Sequence, residues 1–520
     1  MAGRTTTRIF PNTYRDSVEL MQIAAEIETT DGIERAGLVM ATPANREVLA
    51  AAGLLSDEAA SAGPNDLVVA VAATDSAVAT AALEKAAARL ASSGGGGDEE
   101  AARVDARTIA EGVAELTSAN LALISTPGPY ATAEALKALK RGLHVFLFSD
   151  NVPIEDEIEL KAIGRAKGLL VMGPDCGTAI LDGVPLGFSN AVRRGTIGLV
   201  AASGTGLQQV SCLIHRAGAG ISQAVGVGGR DLDERVGGTM MLAALERLDA
   251  DPGTDVIVLI SKPPAAAVAA RVLAAAGKAS KPVVVNFLGG DAALMTKAGA
   301  TPADTFDEAA SVAVSLAGGG TGSAPEEVVM PGAARDAARA LAAGQWRIRG
   351  LFSGGSLAGE AKLVIKRAIG PDAAGAHEIV DLGDDEYTVG RPHPMIDPRL
   401  RIEHIGQAAA DPTTAVILLD VVLGYGSSGD PAGALGPAIA AARADAALAG
   451  RSIAVVASVC GTPDDPQGLD DQEARLTSAG AILAPSNARA AAIALAIATR
   501  FGGRDPVGSA TQDATLEVGR

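Results

Sequence analysis

Aromatic side chains are nearly absent, at 2 % of 520 residues, although 48 % of the chain is hydrophobic. An interior without large rings must be filled by Ala, Val, Leu and Ile, which favours helices packed closely on sheets in an α/β design. Cysteine is scarce as well, with Cys176, Cys212 and Cys460 only. None pairs with another at metal-ligand spacing, so neither a disulfide framework nor a zinc site is expected, the thiols are read as reduced, and no metal is assigned. Positive charge is in deficit. A formal net charge of -18 without any basic run argues against a nucleic-acid partner, which needs clustered Lys and Arg. Long hydrophobic runs are missing too, because Gly, Pro or charge interrupts them within about 4 to 8 residues. The amino terminus lacks the order of a signal peptide, so a cytoplasmic protein with no membrane partner is expected.

What the chain does contain is a repeated alternation of short apolar strands and Ala-rich helical segments. At about 150 residues per domain, its length predicts roughly three or four domains. In the first third, residues 37–41, 66–72, 121–125, 144–148 and 169–172 read as buried-type strands, and 131–140 as a helix. Strand, helix, strand order predicts a parallel, doubly wound sheet. Ser92 to Glu100, with four consecutive glycines, reads as a flexible insertion. A second unit begins near Gly195 with a strand, the turn Ser203-Gly204-Thr205-Gly206 and a helix from Leu207, followed by strands at 223–227, 256–260 and 282–286. A Gly- and Pro-bearing linker and a helix at 333–343 lead to a third unit.

The third unit repeats the second. "IGLVAASGTGLQQ" is echoed by "IRGLFSGGSLAGE", "AVGVGGRDLDE" by "EIVDLGDDEYT", "VIVLISKPP" by "AVILLDVVLG", and "PVVVNFLGGDAA" by "SIAVVASVCGTPDD". Matched strand-to-loop junctions in one order predict a duplication of one doubly wound unit. The expected fold is three Rossmann- or flavodoxin-like parallel-sheet domains, the last two an internal duplication. The expected segments are 1–192, 193–316, a linker and helix at 317–345, 346–500, and a flexible tail at 501–520.

Loops at the carboxyl ends of parallel strands form the ligand crevice, and a helix that follows offers unpaired N–H groups and a positive dipole end. Ser203, Gly204, Thr205 and Gly206, and Ser353, Gly354, Gly355 and Ser356, have that placement and are candidates for phosphate. One such turn more often merely caps a helix; two in duplicated units shift the balance toward function. Gly228, Gly229 and Arg230 in the next strand-end loop are anion candidates, with Arg230 able to grip phosphate or carboxylate through its planar fork, or else paired with Asp231 or Asp233. Lys262, at the end of an apolar strand, would enter the same crevice. His393, fixed between two prolines and flanked by Arg391 and Asp397, is a candidate general base, or else part of an ordered loop. Cys176 reads as a buried thiol rather than a nucleophile.

Several motifs carry a family resemblance. "GPDCGT" at 173–178, "GTIGLVAASGTG" at 195–206 and "VGVGGRDL" at 225–232 resemble the succinyl-CoA synthetase α-subunit, and the third unit resembles the carboxy-terminal domain of its β-subunit. The resemblance implies a CoA-binding-like domain at 1–192, an α-like ligase domain at 193–316 and a β-like domain at 346–500, with no ATP-grasp domain. Over essentially the whole chain to about residue 500, "YRDSVELM", "ATPAN", "FSDNV", "LLVMGPDCGT", "SKPP" and "DLGDDEYTVGRPHPMIDP" resemble the FdrA family. Asn45, in "ATPAN", is a further candidate for substrate or anion.

Departures qualify the implied chemistry. No histidine occurs between Phe287 and Ala300, where the synthetase family carries its phosphohistidine, and Lys262 stands where that family has a supporting Glu. "FPNTYRDSVELM" replaces the amino-terminal Gly-rich CoA turn. The FdrA resemblance implies a subunit of an oxamate carbamoyltransferase of allantoin degradation, converting oxalurate and phosphate to oxamate and carbamoyl phosphate. Phosphate or carbamoyl phosphate would then be a substrate, neither CoA nor a phosphohistidine is required, no cofactor is assigned with certainty, and companion subunits and an oligomer are expected. The alternatives are an acid–CoA ligase with a separate ATP-grasp subunit, for which CoA is the ligand, and a non-catalytic regulatory or scaffolding subunit.

Overall fold

A computed structural model describes residues 4–15, 17–92, 106–320, 330–388 and 392–501. Beyond Ser92 the glycine-rich insertion, and beyond Phe501 the tail, lie outside the described residues, as do Arg391 and part of the linker, 321–329. Contacts divide the chain into two units, Met1–Ala119 with Gly383–Asp397, and Asn120–Leu382 with Pro398–Arg520.

In the first unit, β1 (Arg4–Phe10), β2 (Ile33–Met40) and β3 (Leu67–Ala73) form a sheet in the order β1-β3-β2. Both pairings are antiparallel, which corrects the parallel winding expected here. The reason lies in β3: Leu67, Val69 and Val71 pack in one cluster with Leu20, Ile23 and Ile27, while Val68 and Ala70 pack in another with Leu49 and Leu54. A strand covered on both faces reads as a continuous apolar run, and such a run carries no information about its neighbours' direction. β1, with Thr and Arg interleaved, gave no strand signal at all.

Parallel pairings dominate the second unit. β4 (Leu121–Ile124), β5 (His144–Leu147) and β6 (Val171–Met172) form a three-stranded parallel sheet. A seven-stranded sheet contains β7 (Thr178–Leu181), β8 (Val184–Gly187), β9 (Arg194–Ala202), β10 (Ile221–Gly226), β11 (Val256–Ser261), β12 (Val283–Phe287) and β13 (Thr301–Pro302). A five-stranded sheet contains β14 (Arg347–Phe352), β15 (Glu378–Asp381), β16 (Thr414–Val422), β17 (Ala454–Cys460) and β18 (Ala481–Ala484). The orders β10-β9-β11-β12-β13 and β15-β14-β16-β17-β18 are the same flavodoxin-like winding, parallel throughout. The duplication read from sequence is therefore a duplication of topology. The antiparallel β7–β8 hairpin is an addition at the β10 edge.

The protein is thus α/β, with several mostly parallel sheets flanked by helices. Its interior is aliphatic as composition requires: all nine residues of β16 are buried, and the helix Asn487–Ala498 is buried over nearly its whole length. Small side chains let that helix lie against the helix Gly355–Ile369, which also meets the helix Gly204–Arg216. Among the described residues no helix is long and apolar enough to cross a membrane.

Candidate functional site

Within the second unit, β9 lies between β10 and β11, and β14 between β15 and β16. The turns that follow β9 and β14 therefore sit where the winding reverses, the usual position of a ligand crevice in such sheets. Both turns are helix caps and first helical turns, as the capping reading of each expects. Ser203 is the N-cap of the helix Gly204–Arg216 and accepts the Gly206 N–H through its Oγ at 3.1 Å. Gly354 is the N-cap of the helix Gly355–Ile369 and supplies no side-chain acceptor, so the N-cap residue itself leaves the positive end of that helix unanswered.

These two helix ends face each other. The Ser203 hydroxyl donates to Ser356 Oγ at 2.6 Å, with both side chains buried. A Cβ on Gly354 would come within 2.8 Å of the Thr205 side chain. One on Gly355 would lie 2.2 Å from Asp381 Oδ2 and 3.3 Å from Lys262 Nζ. Lys262, which leaves β11 at the first reversal point, thus reaches the helix end of the second. A side chain at 354 or 355 would have to displace Thr205 or Asp381, which glycine avoids.

Asp420 shapes the second turn and was not anticipated. Fully buried on β16, it accepts the Ser353 N–H at 2.8 Å, the Ser353 hydroxyl at 3.1 Å and the Gly354 N–H at 2.8 Å. Arg401 holds it from behind, with Nη2 at 3.0 Å from Oδ1. The Ser353 hydroxyl, expected to face an anion, is committed to Asp420 instead. A lone carboxylate in the apolar strand "TAVILLDVV" was the available signal, since a buried charge must be paired and hydrogen-bonded.

Behind the Gly355 helix, Glu360 is fully buried and accepts the Phe306 N–H at 2.6 Å and an Asn487 amide N–H at 2.8 Å. Burial, reinforced by the nearby Asp307 carboxylate, pushes its pKa up to about 8. Asp307 in turn accepts from Ser486 and Arg489.

The other sequence candidates are placed as follows. Gly228 has φ +84°, and a Cβ there would meet the Pro174 carbonyl at 2.3 Å, so close packing of two loops accounts for this glycine. Gly229 lies beside Asp175. Arg230 donates to the Val152 carbonyl at 2.8 Å and lies 3.0 Å from Glu157, rather than pairing with Asp231 or Asp233. Asp231 is instead buried against Lys161 at 2.8 Å. Asn45 donates its amide to the Met40 carbonyl at 2.8 Å, steadying the start of the helix Pro43–Ala51. His393 belongs to the first unit, where its Nδ1 accepts the Met395 N–H at 3.2 Å. Cys176 is buried with its pKa pushed up to about 12, chiefly by burial, as befits an inert thiol. Among the described residues no group of His, Cys, Asp and Glu could hold a metal ion.

Three family matches fall along the chain: AllF, heavy metal-associated domain, on residues 1–105; CoA binding domain on 193–289; and CoA-ligase on 351–497. The CoA binding match covers β9 to β12 and the Ser203 helix end, outside the first 192 residues where that likeness was expected. The first 105 residues contain neither Cys nor His, so the thiolate and imidazole donors that soft heavy metals select are missing there. The α-subunit of succinate–CoA ligase [ADP-forming] from Methanothermobacter thermautotrophicus is 32 % identical over 31 % of this chain and 54 % of its own length. The chain thus spans about half of that relative. Among solved structures, the dinucleotide-forming acetyl-coenzyme A synthetase 1 of Ca. Korarchaeum cryptofilum aligns with 74 % of this chain and 82 % of its own, at 17 % identity and a TM-score of 0.33. The Escherichia coli K12 protein YahF, itself uncharacterized, is 42 % identical over 92 % of this chain and 96 % of its own length. The chain belongs to the family of YahF, built on succinyl-CoA synthetase-like CoA-binding and CoA-ligase domains.

Proposed function

We propose that this protein is the acyl-phosphate-handling subunit of an enzyme of the acid–CoA ligase class. The observation that carries the reading is the pair of opposed helix ends joined by Ser203 and Ser356, with Lys262 at their margin. Two positive helix ends and an ammonium, with the Asp381 carboxylate beside them, would favour an anion such as a phosphoryl group. In the reaction, the CoA sulfur attacks the carbonyl carbon of an acyl phosphate. The carbon–oxygen bond to phosphorus breaks, and orthophosphate leaves with the electron pair while the thiol proton passes to solvent. First-turn N–H groups of the Gly355 helix, the Ser356 hydroxyl and Lys262 stabilise the charge that accumulates on the departing phosphate. A companion subunit carrying the nucleotide chemistry would make the acyl phosphate.

A second reading is favoured by the absence of histidine between Phe287 and Ala300. Without a carrier for phosphoryl transfer, the same crevice suits a carbamoyltransferase, in which a phosphate oxygen attacks the carbamoyl carbon of oxalurate and oxamate leaves. Calorimetric titration separates the two. The first expects phosphate and CoA both to bind, with Lys262→Ala weakening phosphate; the second expects phosphate and oxamate but no CoA. A protein that binds none of these ligands defeats both readings.

A further inference from the structure

Asp381 ends β15, the strand on one side of β14, and pairs in register with Phe352, the residue before the Ser353–Ser356 turn. Asp420, from the strand on the other side, commits its carboxylate to the Ser353 and Gly354 N–H groups and to Arg401. Asp381 stands beside the start of the Gly355 helix, where a Cβ on Gly355 would lie 2.2 Å from its Oδ2 and 3.3 Å from Lys262 Nζ. Neither residue is sealed from solvent, since Asp381 is half-buried and Lys262 is exposed. A carboxylate, an ammonium and the first turn of a helix therefore border one accessible point.

The duplication shows that the sheet winding does not itself require this carboxylate. The Leu382 N–H donates to the Phe352 carbonyl at 2.8 Å, as the Val227 N–H does to the Ala201 carbonyl at 2.8 Å. Gly226 pairs with Ala201 as Asp381 pairs with Phe352, so Gly226 holds the equivalent place in the earlier copy. A Cβ there would meet the Thr178 carbonyl at 2.2 Å and Cys176 Sγ at 2.6 Å, which leaves no room for a side chain. One helix start thus has a serine cap from Ser203, and the other has an acid at its side. An acid beside a helix start is ordinarily favourable and a cation is not, yet here Lys262 comes from the other sheet to the same point.

We infer that Asp381 is a specificity-determining residue of this crevice, accepting a hydrogen bond from the protonated oxygen of a bound oxyanion, so that the site selects hydrogen phosphate over sulfate. This rests on the phosphate reading above and narrows it. Phosphate and sulfate are both tetrahedral oxyanions of similar size, and helix N–H groups and an ammonium satisfy them alike. An ionised carboxylate can only accept. It therefore repels an anion that has no hydrogen to offer and bonds one that has, through a charge-assisted contact. Hydrogen phosphate keeps a proton at neutral pH and sulfate does not. An acceptor set among donors discriminates by that proton, through repulsion of the wrong anion as well as attraction of the right one.

The test is calorimetric binding of inorganic phosphate and of sulfate to the full-length protein at neutral pH, for wild type, Asp381→Asn and Lys262→Gln. Wild type is expected to favour phosphate by at least about tenfold, the worth of one charge-assisted hydrogen bond. Asp381→Asn, whose amide can donate to either anion, should bring the ratio close to one, chiefly by gaining sulfate. Asp381→Ser, a smaller donor, gives the same readout should the amide disturb the turn. Lys262→Gln should weaken both anions and keep the wild-type ratio, because it removes attraction without touching the acceptor. A wild type that binds the two anions equally overturns the assignment before any variant is made. So does an Asp381→Asn protein that keeps the wild-type ratio, the result that a simple cap or an ion pair with Lys262 would give. If wild type binds neither anion, the phosphate reading itself fails and this one falls with it.

Discussion

The Ser203 hydroxyl donates to Ser356 Oγ at 2.6 Å, joining the first turns of two helices whose partners are 153 residues apart in sequence. Because the same Ser203 Oγ accepts the Gly206 N–H, one side chain both caps its own helix and fixes the second. Ser203→Ala should cost about 1 kcal/mol from the lost cap alone, and Ser203→Thr should recover most of it. Thermal unfolding reads this as a drop of a few degrees in the alanine variant. Titration with inorganic phosphate should show weakened binding in the same variant.

Gly355→Ala should be far more disruptive than its single methyl suggests. The new Cβ would fall 2.2 Å from Asp381 Oδ2, so the carboxylate and the helix end must separate. Overpacking of this kind costs about 1–3 kcal/mol. Phosphate affinity should fall at least tenfold, whereas Gly359→Ala in the same helix, with nothing nearer than 3.9 Å, should keep it. Equal behaviour of the two variants in a phosphate titration would remove the helix end from the site.

Asp420→Ala should destabilise the second unit by about 3–5 kcal/mol, because it strands the buried Arg401 without its carboxylate. It also frees the Ser353 and Gly354 N–H groups. Asp420→Asn, which cannot accept from all three donors and pair the guanidinium, should lie between. A urea-induced unfolding series with Arg401→Met and the double variant would report the coupling of the pair.

Glu360 predicts a pH dependence. Its folded pKa is raised from the usual carboxylate range to about 8 by burial and by Asp307, so the folded state holds a proton that the unfolded chain releases. Its contribution to stability is therefore greatest below the unfolded value and is lost as pH rises from about 4.5 toward 8, with a slope of at most about 1.4 kcal/mol per pH unit. Glu360→Gln, neutral at every pH, should flatten that part of the profile. Urea midpoints at pH 5, 6, 7 and 8 for both proteins would show an unchanged slope if Glu360 were not responsible.

How far the sequence carried the structure depends on which interactions are local. Strand-to-helix junctions with Gly and Ser are short-range signals, and Ser203 and Gly354 are indeed helix starts. The internal duplication was legible because matched strands and turns recur in order, and the common sheet winding follows. Direction of pairing in the first unit was not legible, since β3 is apolar on both faces and reads alike in a parallel or antiparallel sheet. Arg230 was read against its sequence neighbours, but its partners are the Val152 carbonyl and Glu157, more than seventy residues away.

By itself, then, the sequence determined an α/β chain of aliphatic cores, a duplicated doubly wound unit and two glycine-rich helix starts, because composition, periodicity and turn chemistry act over a few residues. Only the tertiary structure decided that the two starts face each other through Ser203 and Ser356, that Lys262 reaches Gly355, and that Asp420 claims Ser353. Those relations join groups far apart in the chain, and their distances are set by how whole sheets and helices pack rather than by any local preference.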